Sequence, residues 1–465
     1  MKNALKFTRR HILAGSAALG MCPLMEAQNP AGPPKPKPRI DPGPPFVPSD
    51  PPNTPMGVGK GIHPGRVVWT HRPKATRWDG VTKPLSVEKA TGEWWDDANL
   101  DPEIVAEAFS TSLQKLTGER SDKKAWEMLF KHFNETHKTG SGGYKPGEKI
   151  SIKINMNNDR SNTEPWPSGR GMPSPQFAHT LLRQLVQEAG VRPEDIILYD
   201  ATNDRFIGDP IYNRVMSDPD RRLHEIRFEC NPRRAARGRV AVEPDMTVPM
   251  KWSDPEVERQ SGPTFLPKNV IAAKYRISLA LLRAHSVCGI TLCTKNNNGS
   301  LYWPKLDYWG PRVLHNFFAA RRPLKSYNAF VDYLGHKHLF GKSLLFLLDG
   351  FYSAAQSEVN VVRFQSLGNH WTSSVFMSQD PVAIDSVGLD FLRNEPNSEQ
   401  MRGWPDNFLH EAALVEDPPS GTRYDPNGDG TPLTSLGVHE HWNNPQDKQY
   451  SRNLGTGKGI ELVRG

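Results

Sequence analysis

Residues 149–155, KISIKIN, alternate apolar and polar side chains along a β-rich run, and they read as a strand. A polar loop follows, opened by Asn155, Asn157, Asn158 and Asp159. Then SPQFAHTLLRQLVQEAG (174–190) places Phe177, Leu181, Leu182, Leu185 and Val186 on one helical face. Ser174 stands at the cap, Pro175 in the first turn and Gly190 past the end. DIILYD (195–200) is the next strand. Strand, helix and strand in that order predict a right-handed crossover and a parallel pair. Asn155 and Asp200 then lie at neighbouring carboxyl ends of strands, where open α/β sheets take their ligands.

The same pattern continues downstream. An apolar block fills 270–294, NAFVDYLGHKHLF (328–340) contains a helix, and SLLFLLDGFY (343–352) is a buried strand with Asp349-Gly350 near its end. SSVFMSQ (373–379) is another strand, and DPVAIDSVGLDFL (380–392) opens a helix with Asp380 as cap and Pro381 behind it. Interleaved strands and helices predict an α/β fold: a mostly parallel central sheet flanked by helices, with long loop-rich insertions. Residues 57–415 form that domain, 205–268 read as an insertion because they lack periodicity, and 416–465 read as a loop-rich C-terminal tail.

The start of the chain reads differently. TRRHILAGSAALGM (8–21) sets twin arginines before a short apolar segment, the pattern of a twin-arginine export signal. The segment is about ten residues, too short to span a bilayer. The expected divisions are a signal at 1–27, cleaved after Ala27, and a proline-rich disordered linker at 28–56. The expected location is periplasmic or otherwise exported, with the twin-arginine machinery as a partner and no transmembrane helix in the mature chain. The net charge of +7 includes +4 from residues 1–55, so the remainder carries about +3, which calls for no nucleic-acid partner. The arginine-rich run at 221–240 reads as a solvated loop or structural ion pairs. Cys230, Cys288 and Cys293 show no C-x-x-C spacing, so neither an iron–sulfur cluster nor a cysteine zinc site is expected.

Polar residues collect at element ends. Lys153, Asn155 and Asn157 close one strand, and His285, Lys295 and Asn296 surround the apolar block. CTKNNNGSLYW (293–303) sets a cation, three amides and a glycine against the end of a core element. Lysine and amide donors suit a carboxylate, phosphate or sugar hydroxyl. Asp349, Asp380 and Asp385 suit a divalent metal or acid–base work. In the tail, YDPNGDG (424–430) places Asp425, Asn427 and Asp429 at the first, third and fifth positions of a calcium loop, without a closing carboxylate at Leu436. GVHEHWNN (437–444) sets His439 and His441 on one face of an extended segment, where they suit one transition metal. A third ligand has to come from elsewhere: His285, His315 or an aspartate.

The stretches ISIKINMN (150–157), LLRAHSVCGITLCTKNNNGS (281–300), Leu314-His315, LLFLLDG (344–350) and SQDPVAIDSVGLDFL (378–392) together resemble the family called domain of unknown function 362. The resemblance covers about 145–395. Arg283 stands where that family's pattern has the lysine of Lys-x-His. The resemblance implies an α/β fold and a binding role for Lys295 to Gly299. It implies no particular reaction. Some members carry iron–sulfur modules, but this chain lacks the cysteines for one.

The leading functional expectation is an exported, metal-assisted enzyme acting on an anionic or polyhydroxylated small substrate, by hydrolase, lyase or isomerase chemistry. His285, Lys295 and Asp385 are its catalytic candidates. Lys153, Asn155, Asn157, Asn296 and His315 are its substrate-binding candidates. Asp349, Asp380, His439 and His441, with Asp425, Asn427 and Asp429 for calcium, are its metal candidates. Two alternatives stand beside it. One is a non-catalytic, calcium-stabilised carbohydrate- or ligand-binding protein using exposed tryptophans such as Trp94, Trp95, Trp166, Trp303, Trp371 and Trp442. The other is a redox partner of an iron–sulfur protein.

Overall fold

A strand covered on both faces is predominantly apolar, and the longest strands of this chain are, with Arg276, Arg283 and Asp349 as buried polar exceptions. The computed structural model describes residues 44–83, 86–159, 165–202, 204–354, 360–396 and 401–465. The segment expected to be an export signal and most of the expected proline-rich linker lie outside these residues. The central sheet takes, in chain order, β1 (Arg66–His71), β2 (Ile150–Ile154), β3 (Ile196–Asp200), β4 (Arg227–Cys230) and β5 (Val240–Ala241). It continues with β6 (Tyr275–His285), β7 (Gly289–Thr291), β8 (Ser343–Ala354), β9 (Ser374–Ser378) and β10 (Glu461–Arg464). Their spatial order is β10–β1–β9–β8–β6–β2–β3–β4–β5. From β8 to β5 every neighbouring pair is parallel, with Ile152 opposite both Ile277 and Leu198. β9 runs against both its neighbours, β10 lies parallel to β1, and β7 folds back on β6.

Side chains alternate across the sheet into two cores. Leu345 and Leu347 of β8 join α1 (Pro102–Thr117), α2 (Asp122–Thr136), α3 (Pro175–Arg183) and α4 (Asp209–Met216). Phe346 and Leu348 join the opposite layer, with α5 (Cys293–Asn296), α6 (Ala329–Gly335), α7 (Pro381–Arg393) and α8 (Asn407–Ala413). Helix ends follow local chemistry. Asp101 caps α1 by accepting from the N–H groups of Glu103 (3.1 Å) and Ile104 (3.3 Å), and Gly118 closes it at φ 80°. Asp380 caps α7 through Val382 (3.0 Å) and Ala383 (2.9 Å). Ser174 sits at the α3 cap but gives its hydroxyl to Asp349 (2.7 Å) instead. Among the described residues no helix is long and apolar enough to cross a membrane.

Three segments carry more structure than their sequence showed. Residues 205–268 supply α4, β4 and β5, so the parallel sheet runs on through the expected insertion. They also begin a small antiparallel sheet, where Thr264–Pro267 pairs with Pro244–Met250 and with Tyr302–Trp303. The arginines here form ion pairs, Arg227 with Glu229 (2.6 Å) and Arg237 and Arg239 with Asp209 (2.7 and 2.8 Å). The tail contributes β10 to the sheet edge. Residues 44–56, read as linker, are docked: Phe46 is buried and its N–H donates to Met401 O (2.8 Å). Asn53 N–H donates to His441 O (3.0 Å), and Met56–Gly57 pairs with Val438–His439.

Candidate metal centre

The alternation of an extended chain sends His439 and His441 to one side and Glu440 to the other. Glu440 accepts from Ser451 Oγ (2.6 Å) and from the N–H groups of Ser451 (3.1 Å) and Ile460 (2.5 Å), which pins the segment. The two imidazole centroids lie 4.9 Å apart, and His410 lies 4.9 Å from His439. Asp406 and His410 are four residues apart at the start of α8, on one helix face. Asp50 arrives from the docked N-terminal arm.

The outer nitrogens of two rings are fixed by α7. His439 Nδ1 lies 2.8 Å from Ser386 Oγ, whose hydroxyl donates to Val382 O (2.7 Å), so the ring donates at Nδ1. His441 Nδ1 lies 2.7 Å from Asp390 Oδ1, and Asp390 also accepts from Trp442 N–H (2.9 Å) and the Tyr450 hydroxyl (3.0 Å). Both Nε2 atoms therefore face inward, in the carboxylate–histidine arrangement that orients metal ligands.

What they face is a set of buried polar atoms without hydrogen bonds. His439 Nε2, His441 Nε2 and both Asp406 oxygens are buried and have no hydrogen-bond partner among the described residues. Ligand atoms of Asp50, Asp406, His410 and His439 lie within 4.8 Å of one another. His441 Nε2 is 3.9 Å from Asp406 Oδ2, and His410 Nε2 is 2.7 Å from Asp50 Oδ2, a contact that pulls the Asp50 carboxyl below its usual range. Donors held about 2.1 Å from one ion span up to roughly 4.2 Å, so Asp50, Asp406, His410 and His439 need only a small inward adjustment to share one cation, with His441 outside that set. Leaving such atoms unpaired costs about 1–3 kcal/mol each, and a cation removes that cost. Imidazole and carboxylate donors suit zinc, manganese, iron, cobalt, nickel or copper. Burial and the neighbouring imidazoles hold His439 well below the usual histidine range. Burial also works against a charge on His441, but Asp390 outweighs it and carries that ring up to about 9. Cation loading would release that proton.

The other site candidates sit elsewhere. Lys153 is buried against Asp200 (3.1 Å), with its ammonium donating to Ile154 O (2.7 Å) and Asn296 Oδ1 (3.2 Å). Asn296 returns a bond to Lys153 O (2.9 Å), Asn297 accepts from Arg276 (2.8 Å), and Asn298 accepts from the Tyr333 hydroxyl (2.9 Å). The amide run is thus an internal plug, and Lys153 and Asn296 face each other rather than a ligand. Asn155 accepts from Asn157 N–H (3.2 Å), closing the turn after β2.

The aspartates expected to hold a metal or protons hold main chain instead. Asp349 accepts from Ser174 N–H (2.6 Å) and Phe351 N–H (3.1 Å). Beyond its cap bonds, Asp380 accepts from Lys60 N–H (2.8 Å) and Val438 N–H (3.2 Å). Asp385 accepts from Cys293 N–H (2.9 Å) and Thr294 N–H (3.0 Å) at the start of α5. In the calcium-like loop, Asp425 accepts from Gly430 N–H (3.0 Å), Asp429 from Thr431 N–H (3.0 Å) and Asn427 from Lys337 N–H (3.0 Å). These bonds close the turn through its own amides and a neighbour's.

A second group stands at the carboxyl end of β6. His285 and His315 stack at 5.6 Å, and Cys288 lies within 4.8 Å of both ligand atoms. His285 Nδ1 accepts from the N–H groups of Val287 (3.0 Å) and Cys288 (3.2 Å), so its proton sits on Nε2. His315 Nδ1 lies 3.0 Å from Arg312 O, so its Nε2 is bare. Burial, then the charge of Lys295, holds His285 well below the ordinary value and His315 at about 3. Burial pushes the Cys288 thiol up to about 12. A ring already accepting at Nδ1 is a poor metal ligand through Nε2, so this group suits a neutral or anionic guest. His285, Lys295 and His315 therefore share one place, while Asp349, Asp385 and His441 stand in others. Trp94, Trp166, Trp371 and Trp442 are core residues, which removes them from any exposed sugar-stacking row.

His410, Asp406 and Asp50 were absent from the sequence reading. The i, i+4 pair in DNFLHEA is a helix-face signal of the right spacing. Asp50 lies in a proline-rich run that offers none. A family model described as Domain of unknown function (DUF362) matches residues 150–390, just over half of the chain. No curated protein and no solved structure matches it.

Proposed function

The chain belongs to the DUF362 family, and on that premise we propose that it is an exported, metal-assisted enzyme whose centre is added to the family's α/β module by the flanking segments. The observation that carries this reading is the convergence of the ligand atoms of Asp50, Asp406, His410 and His439, with His439 Nε2 and both Asp406 oxygens buried and without hydrogen bonds among the described residues. A transition-metal ion held there would polarise a substrate oxygen or lower the pKa of a bound water. The chain supplies the ligands, one of them oriented by Ser386, in a pocket where Asp50 alone is appreciably exposed. An anionic or polyhydroxylated small substrate fits a cation of this kind. A second reading is a purely structural ion. It draws support from the origin of the donors, which come from an arm, a helix and a tail that the ion would tie together. The deciding experiment is elemental analysis of protein purified without chelator or affinity histidines, beside His439→Ala/His441→Ala. Near-stoichiometric zinc, iron, manganese or nickel that is lost in the variant supports the centre. Protein that stays free of such metals on reconstitution overturns it. Binding of small anions to the loaded ion separates an open, enzymatic centre from a closed, structural one.

A further inference from the structure

Three of the four donors stand on scaffold. Asp406 immediately precedes α8, His410 lies within it, and His439 belongs to a segment fixed by α7 and by Glu440. Their side chains are at most 9 % exposed, whereas Asp50 is 25 % exposed. Asp50 also rides on an arm without regular structure at that point. The arm is anchored at Phe46 and again at Asn53, and Val47 between them is 75 % exposed. The arm thus presses one carboxylate, the more exposed of the four donors, onto a His2Asp set of scaffold ligands.

We infer that Asp50 is an exchangeable ligand, and that the substrate is a carboxylate that binds the metal in its place. The inference rests on the metal-centre reading above. Its logic is chemical identity: an incoming carboxylate replaces Asp50 oxygen for oxygen and charge for charge, so no bond type is lost at the ion. The remaining three protein donors, Asp406, His410 and His439, hold the metal throughout the exchange, and the released arm keeps both anchors. Three protein ligands beside one exchangeable position is the pattern of a catalytic ion, whereas four fixed protein ligands mark a structural one.

The test uses the cobalt(II)-loaded full-length protein, whose visible spectrum reports coordination, and acetate as the probe. Asp50→Ala is expected to keep one cobalt with affinity within about tenfold of the unmodified protein, since the scaffold ligands remain. Acetate should change its spectrum at concentrations at least ~10-fold lower than in the unmodified protein, because the competing carboxylate is gone. Asp406→Ala should instead lose cobalt about 100-fold or more. Asp50→Asn, which keeps the arm's shape, serves if the alanine variant does not fold. Loss of cobalt in the Asp50 variants as severe as in Asp406→Ala would overturn the inference, and so would a spectrum indifferent to acetate. Unmodified protein that takes up no cobalt defeats the metal reading itself, and is seen before any variant is made.

Discussion

At the scale of single residues, the proposed centre would depend on groups that do not touch the ion. Ser386 sets the tautomer of His439, so Ser386→Ala is expected to weaken metal binding about 10–100-fold, measured by competition with a chelator of known affinity. An unchanged affinity would mean that the ring is oriented by packing alone. The same scale explains what could be read in advance. His439 and His441 were legible because alternation along an extended segment fixes which side chains share a face. Their partners were not, because Asp50 and the α8 pair are brought together only by tertiary packing. Asp349, Asp380 and Asp385 were misleading for a physical reason: a carboxylate at a helix start or strand end serves main-chain N–H groups as readily as a metal. Titration offers a second test. Burial raises Asp332 to about 7 despite bonds from Ser253 and Tyr327. The folded state then holds a proton that the unfolded chain, near 3.8, releases. Stability from this group is full in acid and is lost as pH rises from about 4 to 7, by a few kcal/mol. Asp332→Asn should flatten that part of the stability–pH curve, as read by urea melts at pH 4.5 and 7.5.

At the scale of elements, the strands that were legible are those buried on both faces. β2 alternates apolar with polar side chains, and β6 and β8 are long, mostly apolar runs. β4 is four residues with Arg227 exposed at its start, and only Phe228 and Cys230 carry its inward signal. A short edge-ward strand of that composition looks like loop until its neighbour β3 is in place. The elements also decide what the amide run is for. Lys153 of β2 and Asp200 of β3 form a buried ion pair across adjacent strands, and Asn296 of α5 seals it. Removing one member leaves the other charged and buried. Lys153→Met should therefore cost about 3–5 kcal/mol. Lys153→Met/Asp200→Asn should recover a substantial part of that loss, a coupling that denaturant melts of the double-mutant cycle would register. A Lys153 variant with unaltered stability would return that lysine to the list of ligand-facing groups.

At the scale of the whole molecule, the family module and the candidate centre are different parts of one chain. The matched region, 150–390, builds the parallel sheet and ends at Asp390, which holds His441 from behind. The donors themselves come from outside it: residue 50 before it, 406 and 410 after it, and 439 in the tail. A loaded ion would consequently bind the arm, α8 and the tail to each other more than it would bind the sheet. An ion present at about 1,000 times its dissociation constant adds roughly 4 kcal/mol to the folded state. That gain should be local in its structural effect. Chelation is expected to raise amide exchange in residues 44–57, 404–413 and 436–442 while β2, β6 and β8 keep their protection. Hydrogen exchange with and without metal, read peptide by peptide, would show this directly. Uniform loss of protection across the sheet would instead make the ion a determinant of the entire fold, and unchanged protection in the three flanking segments would mean that packing holds them together without it.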